Sequence, residues 1–158
     1  MSVQIGIESK NRQAVAKILH KTLANEYVLL IKTKNYHWNV VGPDFSELHK
    51  LFDEQYVAIS VFVDDVAERA RSLGEKTIGT LQEFLKATTL RENPGKYPPA
   101  QAMIENLAND HEAIVRELRK DLDDCSEKYK DMGTSDFLTG LMEEHEKTAW
   151  MLRSYLER

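Results

Sequence analysis

The sequence predicts an all-α fold, a four-helix bundle forming a single domain over residues 1–158. Three observations predict it. Only four prolines and seven glycines occur, and they fall at a few junctions. The segments between carry apolar side chains at three- and four-residue spacing, the period of a helix with one buried face. No segment shows the two-residue alternation of a half-buried strand. At 42% hydrophobic and 30% charged residues, the chain is apolar enough to build a core of its own.

The first helix is expected over 12–39, with Val15, Ile18, Leu19, Leu23, Tyr27, Leu30 and Tyr36 on its inner stripe. Val40-Val41-Gly42-Pro43 ends it, because proline removes a backbone donor and glycine frees the turn. Asp44 is placed to cap the next helix, with Glu47 three residues on completing a capping box. That second helix is expected over 45–73, its stripe running through Leu48, Phe52, Ile59, Phe62 or Val63, Val66 and Ala70 to a stop at Gly74. A connection of roughly two dozen residues follows, too long for a hairpin, and suits a crossover. Within it a short helix is expected over 81–86, capped by Thr80, before turns at Asn93-Pro94-Gly95 and Pro98-Pro99. The third long helix is expected over 100–129, with Ile104, Leu107, His111, Ile114, Leu118 and Leu122 inward. Met132-Gly133 is expected to break the chain before a fourth over 135–156.

Composition narrows the function. A formal net charge of −5 disfavours a general nucleic-acid binder. Cys125 is the only cysteine, so neither an intrachain disulfide nor a thiolate zinc cluster can form. No apolar run is long enough to span a bilayer and residues 1–11 lack a signal-peptide layout, so a cytoplasmic location is expected, with nucleoid association left open.

The chemistry concentrates between His37 and Glu68, where His37, His49, Asp53, Asp64 and Glu68 are all of types that bind a transition metal. With about 100° of turn per residue, the last four fall on one stripe of the second helix. His49 and Asp53 lie one turn apart, as do Asp64 and Glu68, but roughly 16 Å of helix separates the two pairs. One helix cannot bring all four to one ion. Two copies packed antiparallel about a two-fold axis can, since each His–Asp pair then faces the partner's Asp64 and Glu68. The midpoint falls near Ala58 and Ile59, with Ala58 and Ser60 small enough for close approach. Imidazole and carboxylate without thiolate suit Fe(II), Zn(II) or Mn(II), and this donor set leaves coordination positions open to an oxidant. The plainer alternative is a solvated stripe in which Asp64, Asp65 and Glu68 balance Arg69 and Arg71.

His37-Trp38, then His49 twelve residues on, Asp53 at +4, Asp64 at +11 and Glu68 at +4, resembles the pattern of the Dps mini-ferritins. The resemblance extends to Arg69, Gly74, the short helix of the connection and Trp150. It implies a ferritin-like bundle assembled as two-fold dimers within a hollow dodecamer. It further implies ferroxidase centres at the dimer interfaces, with His37, His49 and Asp53 from one subunit and Asp64 and Glu68 from the other. The implied activity oxidises Fe(II), with hydrogen peroxide in preference to oxygen, and stores ferric mineral, protecting against oxidative damage; zinc is an expected competitor. Trp38 has two readings beside its ligand neighbour: an electron donor intercepting stray oxidising equivalents, or apolar packing at the dimer contact. Larger ferritins place a di-iron site inside the bundle with Glu-x-x-His pairs. None occurs here, which counts against an interior site.

Around the end of the third helix the acidic residues Glu127, Asp131 and Asp136 resemble the lining of an iron-entry pore. Glu47 and Glu54 are candidates to face a mineral cavity. The alternative function is a DNA-compacting nucleoid protein with incidental iron binding. Against it, Lys10 is the only basic residue among the first eleven and the sequence ends at Glu157-Arg158, so DNA binding is expected to be weak or absent.

Overall fold

The computed structural model describes residues 3–157. Four long helices, α1 (Ser9–Asn39), α2 (Phe45–Ser72), α4 (Ala100–Asp123) and α5 (Met132–Ser154), form the bundle, and α3 (Leu81–Ala87) interrupts the crossover. Short turns make antiparallel hairpins of α1 with α2 and of α4 with α5. Polar pairs fix how the hairpins meet. Along α1 and α4 run Lys21–Asp121, Lys32–Asp110 and a hydrogen bond from Asn106 Nδ2 to Tyr36 Oη. Each step up α1 is matched by an equal step down α4, so these two are antiparallel. Glu47 near the start of α2 meets Tyr155 at the end of α5, and Arg69 near the end of α2 meets Thr134 at the start of α5.

The expected apolar stripes form the core: Val15, Leu19, Leu23, Phe52, Ile59, Leu107, Ile114, Leu118, Leu138 and Leu152 are all buried. The crossover is tied to α1 at two points. Tyr27 and Phe84 stack with ring centroids 4.1 Å apart. Buried Asn25 uses Oδ1 to accept from Thr88 Oγ1 and Thr89 N, and Nδ2 to donate to Thr89 Oγ1. Thr80 and Glu83 form the reciprocal capping box at the start of α3.

Three expected boundaries differ. Asp44 makes no side-chain cap to α2, and Glu47 instead accepts a hydrogen bond from Tyr155 Oη. The third long helix does not stay α-helical to 129: it widens into a π-helical turn at Asp124–Lys128 and stops at Lys130, whose φ of 58° no helix continues through. Met132-Gly133 opens α5 rather than breaking the chain. A Cβ at Gly133 would lie 3.1 Å from Arg69 Nη2, so the glycine serves close approach, not a break.

That approach seats a buried cap. Asp131 accepts from Thr134 N at 2.9 Å, from Thr134 Oγ1 at 2.6 Å and from Arg69 Nη2 at 3.2 Å. One carboxylate therefore satisfies the α5 N-terminus and pins α2 to α5. Cys125, in the π-helical turn, is buried, which with Asp131 and Asp121 nearby pushes its thiol up to about 12. It is an inert packing group.

A second buried polar chain crosses the bundle. His145 Nε2 lies 2.8 Å from Glu26 Oε1, and His145 Nδ1 lies 2.8 Å from His111 Nδ1. All three side chains are buried, and Phe62 stands 5.8 Å from the His145 ring. Burial, and after it the neighbouring His145, holds the His111 pKa well below the ordinary imidazole range.

Two outcomes follow from these buried groups. Asp131→Ala should lower unfolding stability by about 2–4 kcal/mol, through the lost cap and the orphaned Arg69 partner, while Asp136→Ala stays within about 0.5 kcal/mol. Urea midpoints of the two variants check this. His111 is neutral when folded but charges near pH 6.5 once unfolded, so between its folded value and about 6.5 the unfolded state binds more protons. Stability is therefore full above about pH 6.5 and falls as pH drops below it, by at most about 1.4 kcal/mol per pH unit. Thermal scans from pH 7.5 to 5 should show the loss, and His111→Gln should flatten it.

Candidate metal centre

The turn at 40–44 folds α2 back so that His37, in the last turn of α1, meets His49 on α2. The two imidazoles stack, with centroids 3.8 Å apart and planes 21° apart. Each ring bonds the other residue's backbone: His37 Nδ1 lies 2.8 Å from His49 O, and His49 Nδ1 lies 2.8 Å from His37 O. A carbonyl oxygen can only accept, so both Nδ1 atoms donate, and a neutral ring then carries its lone pair on Nε2. His37 O is also one of the carbonyls left unpaired at a helix C-terminus, and the His49 ring satisfies it. The backbone thus selects the tautomer of both histidines and leaves two Nε2 donors side by side.

Aromatic walls enclose the pair. Phe45 stacks on His49 at 5.1 Å and Tyr56 meets His37 edge-on at 5.3 Å. Tyr56 Oη donates to Asp53 Oδ1 at 2.5 Å, which raises the Tyr56 pKa because the bond keeps the phenol protonated. Lys34 Nζ sits 4.9 Å from the centre of the Tyr56 ring. Tyr56 thereby orients a carboxylate of the candidate ligand set, a role that only its position one turn beyond Asp53 would have suggested.

His37, His49 and Asp53 are half-buried, whereas Asp64 and Glu68 stand exposed farther along α2. Between Asp53 and Asp64 the same face shows Val57 at 53% and Val61 at 55% exposure, with Ser60 beside them. On α1, Ile31 and Trp38 are also exposed, Trp38 at 67%. The midpoint of the stripe needs correction. Ile59 is 2% exposed and belongs to the chain's own core, and Ala58 faces the groove towards α5. The residues at mid-stripe on the open face are Val57, Ser60 and Val61. Among the described residues of one chain, no three His, Cys, Asp or Glu side chains converge tightly enough to hold an ion.

The acidic residues at the other end separate. Asp131 is buried, with both oxygens engaged as the α5 cap, which removes it from any pore lining. Glu127 and Asp136 are exposed, and Asp136 lines a groove with Asp65, Phe137, Gly140 and Glu144. Helical spacing places His111 on an inward face but marks neither Glu26 nor His145. Glu26 lies on the inner side of α1, and no nearby sequence signal pairs it with a histidine 119 residues away.

Comparison with known proteins agrees with this architecture. Residues 16–158 match the ferritin-like domain family. An uncharacterized low temperature-induced protein of Nostoc sp. is 48% identical, covering 98% of this chain and 87% of that protein. DNA protection during starvation protein 2 of Bacillus anthracis is 36% identical over 94% of this chain and 99% of its own length. The crystal structure of a Dps protein from Vibrio cholerae O1, described as a member of the ferritin-like diiron-carboxylate superfamily, superposes with a TM-score of 0.91 at 28% identity. It covers 99% of this chain and 98% of that one. An all-helical bundle with a helix in its crossover, and relatives matched over nearly their whole length, lead to one assignment: the chain belongs to the Dps family of ferritin-like proteins.

Proposed function

We propose that this protein is an iron-storing mini-ferritin whose ferroxidase centres form between two-fold-related subunits of a hollow dodecamer. The observation that carries the reading is the reciprocal His37–His49 arrangement, which holds two nitrogen donors in one tautomer beside Asp53. Its support is the exposed stripe of α2, which carries apolar Val57 and Val61 between ligand-type residues at either end. A partner lying antiparallel on that stripe buries the valines and delivers carboxylates to the histidines.

In this mechanism Fe(II) is the substrate. His37 and His49 offer Nε2 lone pairs, and Asp53, held by Tyr56, offers a carboxylate oxygen. Asp64 and Glu68 of the partner subunit complete the set and offset the positive charge of the bound iron. Two ferrous ions supply the two electrons that cleave the O–O bond of hydrogen peroxide. With two waters, the products are two ferric oxyhydroxide units and four protons, and no hydroxyl radical is released. Trp38, next to His37, is positioned in sequence to yield an electron to a stray oxidant. Zinc, with similar ligand preferences, competes for the same donors. Exposed Glu127 and Asp136 remain the candidates for an iron-entry path, and exposed Glu54 for a mineral-facing surface.

Anaerobic loading with Fe(II), followed by peroxide, should give rapid ferric absorbance in wild type and less than a tenth of that rate in His37→Ala/His49→Ala. A mixing experiment tests the shared site itself. His37→Ala/His49→Ala and Asp64→Ala/Glu68→Ala are each expected to be inactive, but co-assembled at random they should regain about a quarter of wild-type activity, because each mixed dimer holds one intact centre of two. No recovery in mixed shells would assign the ligands to a single chain and overturn the intersubunit reading.

The alternative, a DNA-compacting protein, has the net charge of −5 against it. Shells mixed with duplex DNA at about 150 mM salt should run unshifted on a gel, since few phosphates are neutralised; a clear shift would favour compaction.

A further inference from the structure

Asp53 stands one helical turn from His49, and the way it is held decides what it can offer an ion. Tyr56 follows it by three residues on α2, so the phenol and the carboxylate are neighbours on one face. Tyr56 Oη donates to Asp53 Oδ1 at 2.5 Å, the length of a charge-assisted O–H···O⁻ bond. The phenol is itself held. Its ring meets His37 edge-on at 5.3 Å, and Lys34 Nζ lies 4.9 Å from its centre. All four residues belong to one chain, so the arrangement is in place before a partner arrives.

Two features of this contact bear on metal binding. The donor is neutral: Lys34 sits over the Tyr56 ring instead of pairing with the carboxylate, so the charge of Asp53 is steered without being cancelled. The bond is also one-sided. An oxygen that accepts a strong hydrogen bond shares with that proton the electron density a metal would use, which makes Oδ2 the better donor to a cation. We propose that Tyr56 is a positioning residue of the intersubunit centre, keeping Asp53 a one-oxygen ligand and a coordination position of the iron open to peroxide.

The role rests on the ferroxidase reading and adds a coordination mode to it. Carboxylates bind cations through one oxygen or through both, and the second oxygen fills one more position on the ion. With imidazole nitrogens and the partner's carboxylates already in the set, each added oxygen competes with an oxidant for the remaining space. Groups that hydrogen-bond to metal-ligating side chains fix their orientation, and losing one commonly costs about 10–100-fold in affinity or activity. Packing against His37 needs only the ring, which a phenylalanine would supply; the hydroxyl is what holds Asp53. Tyr56→Phe therefore removes the bond and leaves the aromatic wall standing.

Zn²⁺, which is redox-silent and takes the same donors, reports the geometry in crystals of the assembled protein. In wild type, zinc is expected about 2.0–2.2 Å from Nε2 of His37 or His49 and from Oδ2 alone of Asp53, with Oδ1 still on Tyr56. In Tyr56→Phe both Asp53 oxygens should ligate. Peroxide oxidation at saturating Fe(II) should then slow by about tenfold or more, with the half-saturating Fe(II) concentration little changed. Zinc missing from His37, His49 and Asp53 in wild type would overturn the ferroxidase reading, and this role with it. Zinc bound there through both Asp53 oxygens in wild type would leave that reading standing and overturn the role of Tyr56 alone. One-oxygen geometry or an unchanged rate in Tyr56→Phe would do the same.

Discussion

The two hydrogen bonds exchanged between His37 and His49 are the constraint on which the first hairpin depends. They close α1 against α2 just beyond the turn, and they do so with groups that serve the backbone and the candidate centre together. If the rings rotated to present Nδ1 outward, a helix-terminal carbonyl would lose its donor, a loss on the order of 1–3 kcal/mol for each buried polar group left unpaired. The donor geometry is thus held by the folding energy of the hairpin. Tyr56 extends the same economy to Asp53, orienting a carboxylate while its ring packs against His37.

The opposite end of the bundle is organised around a carboxylate. Asp131 satisfies the first turn of α5 and draws in Arg69, with Gly133 leaving room for the guanidinium. The preceding π-helical turn and the left-handed Lys130 are what swing Asp131 into position. Hydrogen-bonded polar groups therefore sit at three levels: paired imidazoles at one end, the Glu26–His145–His111 chain within, and the Asp131 cap at the other. The first and last are locally complete. The middle one is not, since Glu26 Oε2 and His111 Nε2 are buried with no protein partner.

Much of this was legible in the sequence because helical periodicity is local. The four long helices, the Thr80–Glu83 capping box and the one-face stripe of His49, Asp53, Asp64 and Glu68 all follow from the three- and four-residue spacing of neighbours. What spacing could not supply was which side of α2 is covered by its own chain. Ile59 and Ala58 sit at the middle of the stripe by number, yet the core claims the first and α5 the second. Likewise, an acidic residue after a helix reads alike whether it lines a pore or caps the next helix. Asp131 differs from Asp136 through its cap to Thr134 and through Arg69, which arrives from a residue 62 positions away. The tautomers of His37 and His49 depend on carbonyl positions that no residue pattern encodes, and the pairing of Glu26 with His145 spans most of the chain.

The Asn25 clamp has a consequence for how the molecule breathes. α1 packs on α2 and α4, holds α3 through Tyr27, and grips the end of the crossover through Asn25. A segment engaged on so many sides cannot open alone, because freeing it releases the crossover and both hairpins together. The amides near Asn25 and Glu26 should therefore exchange with solvent only on global unfolding, while the outer turns of α5 near Tyr155 fray independently. A bundle built this way has one slow, all-or-none opening mode at its centre, and its interior histidines are solvated only in that event.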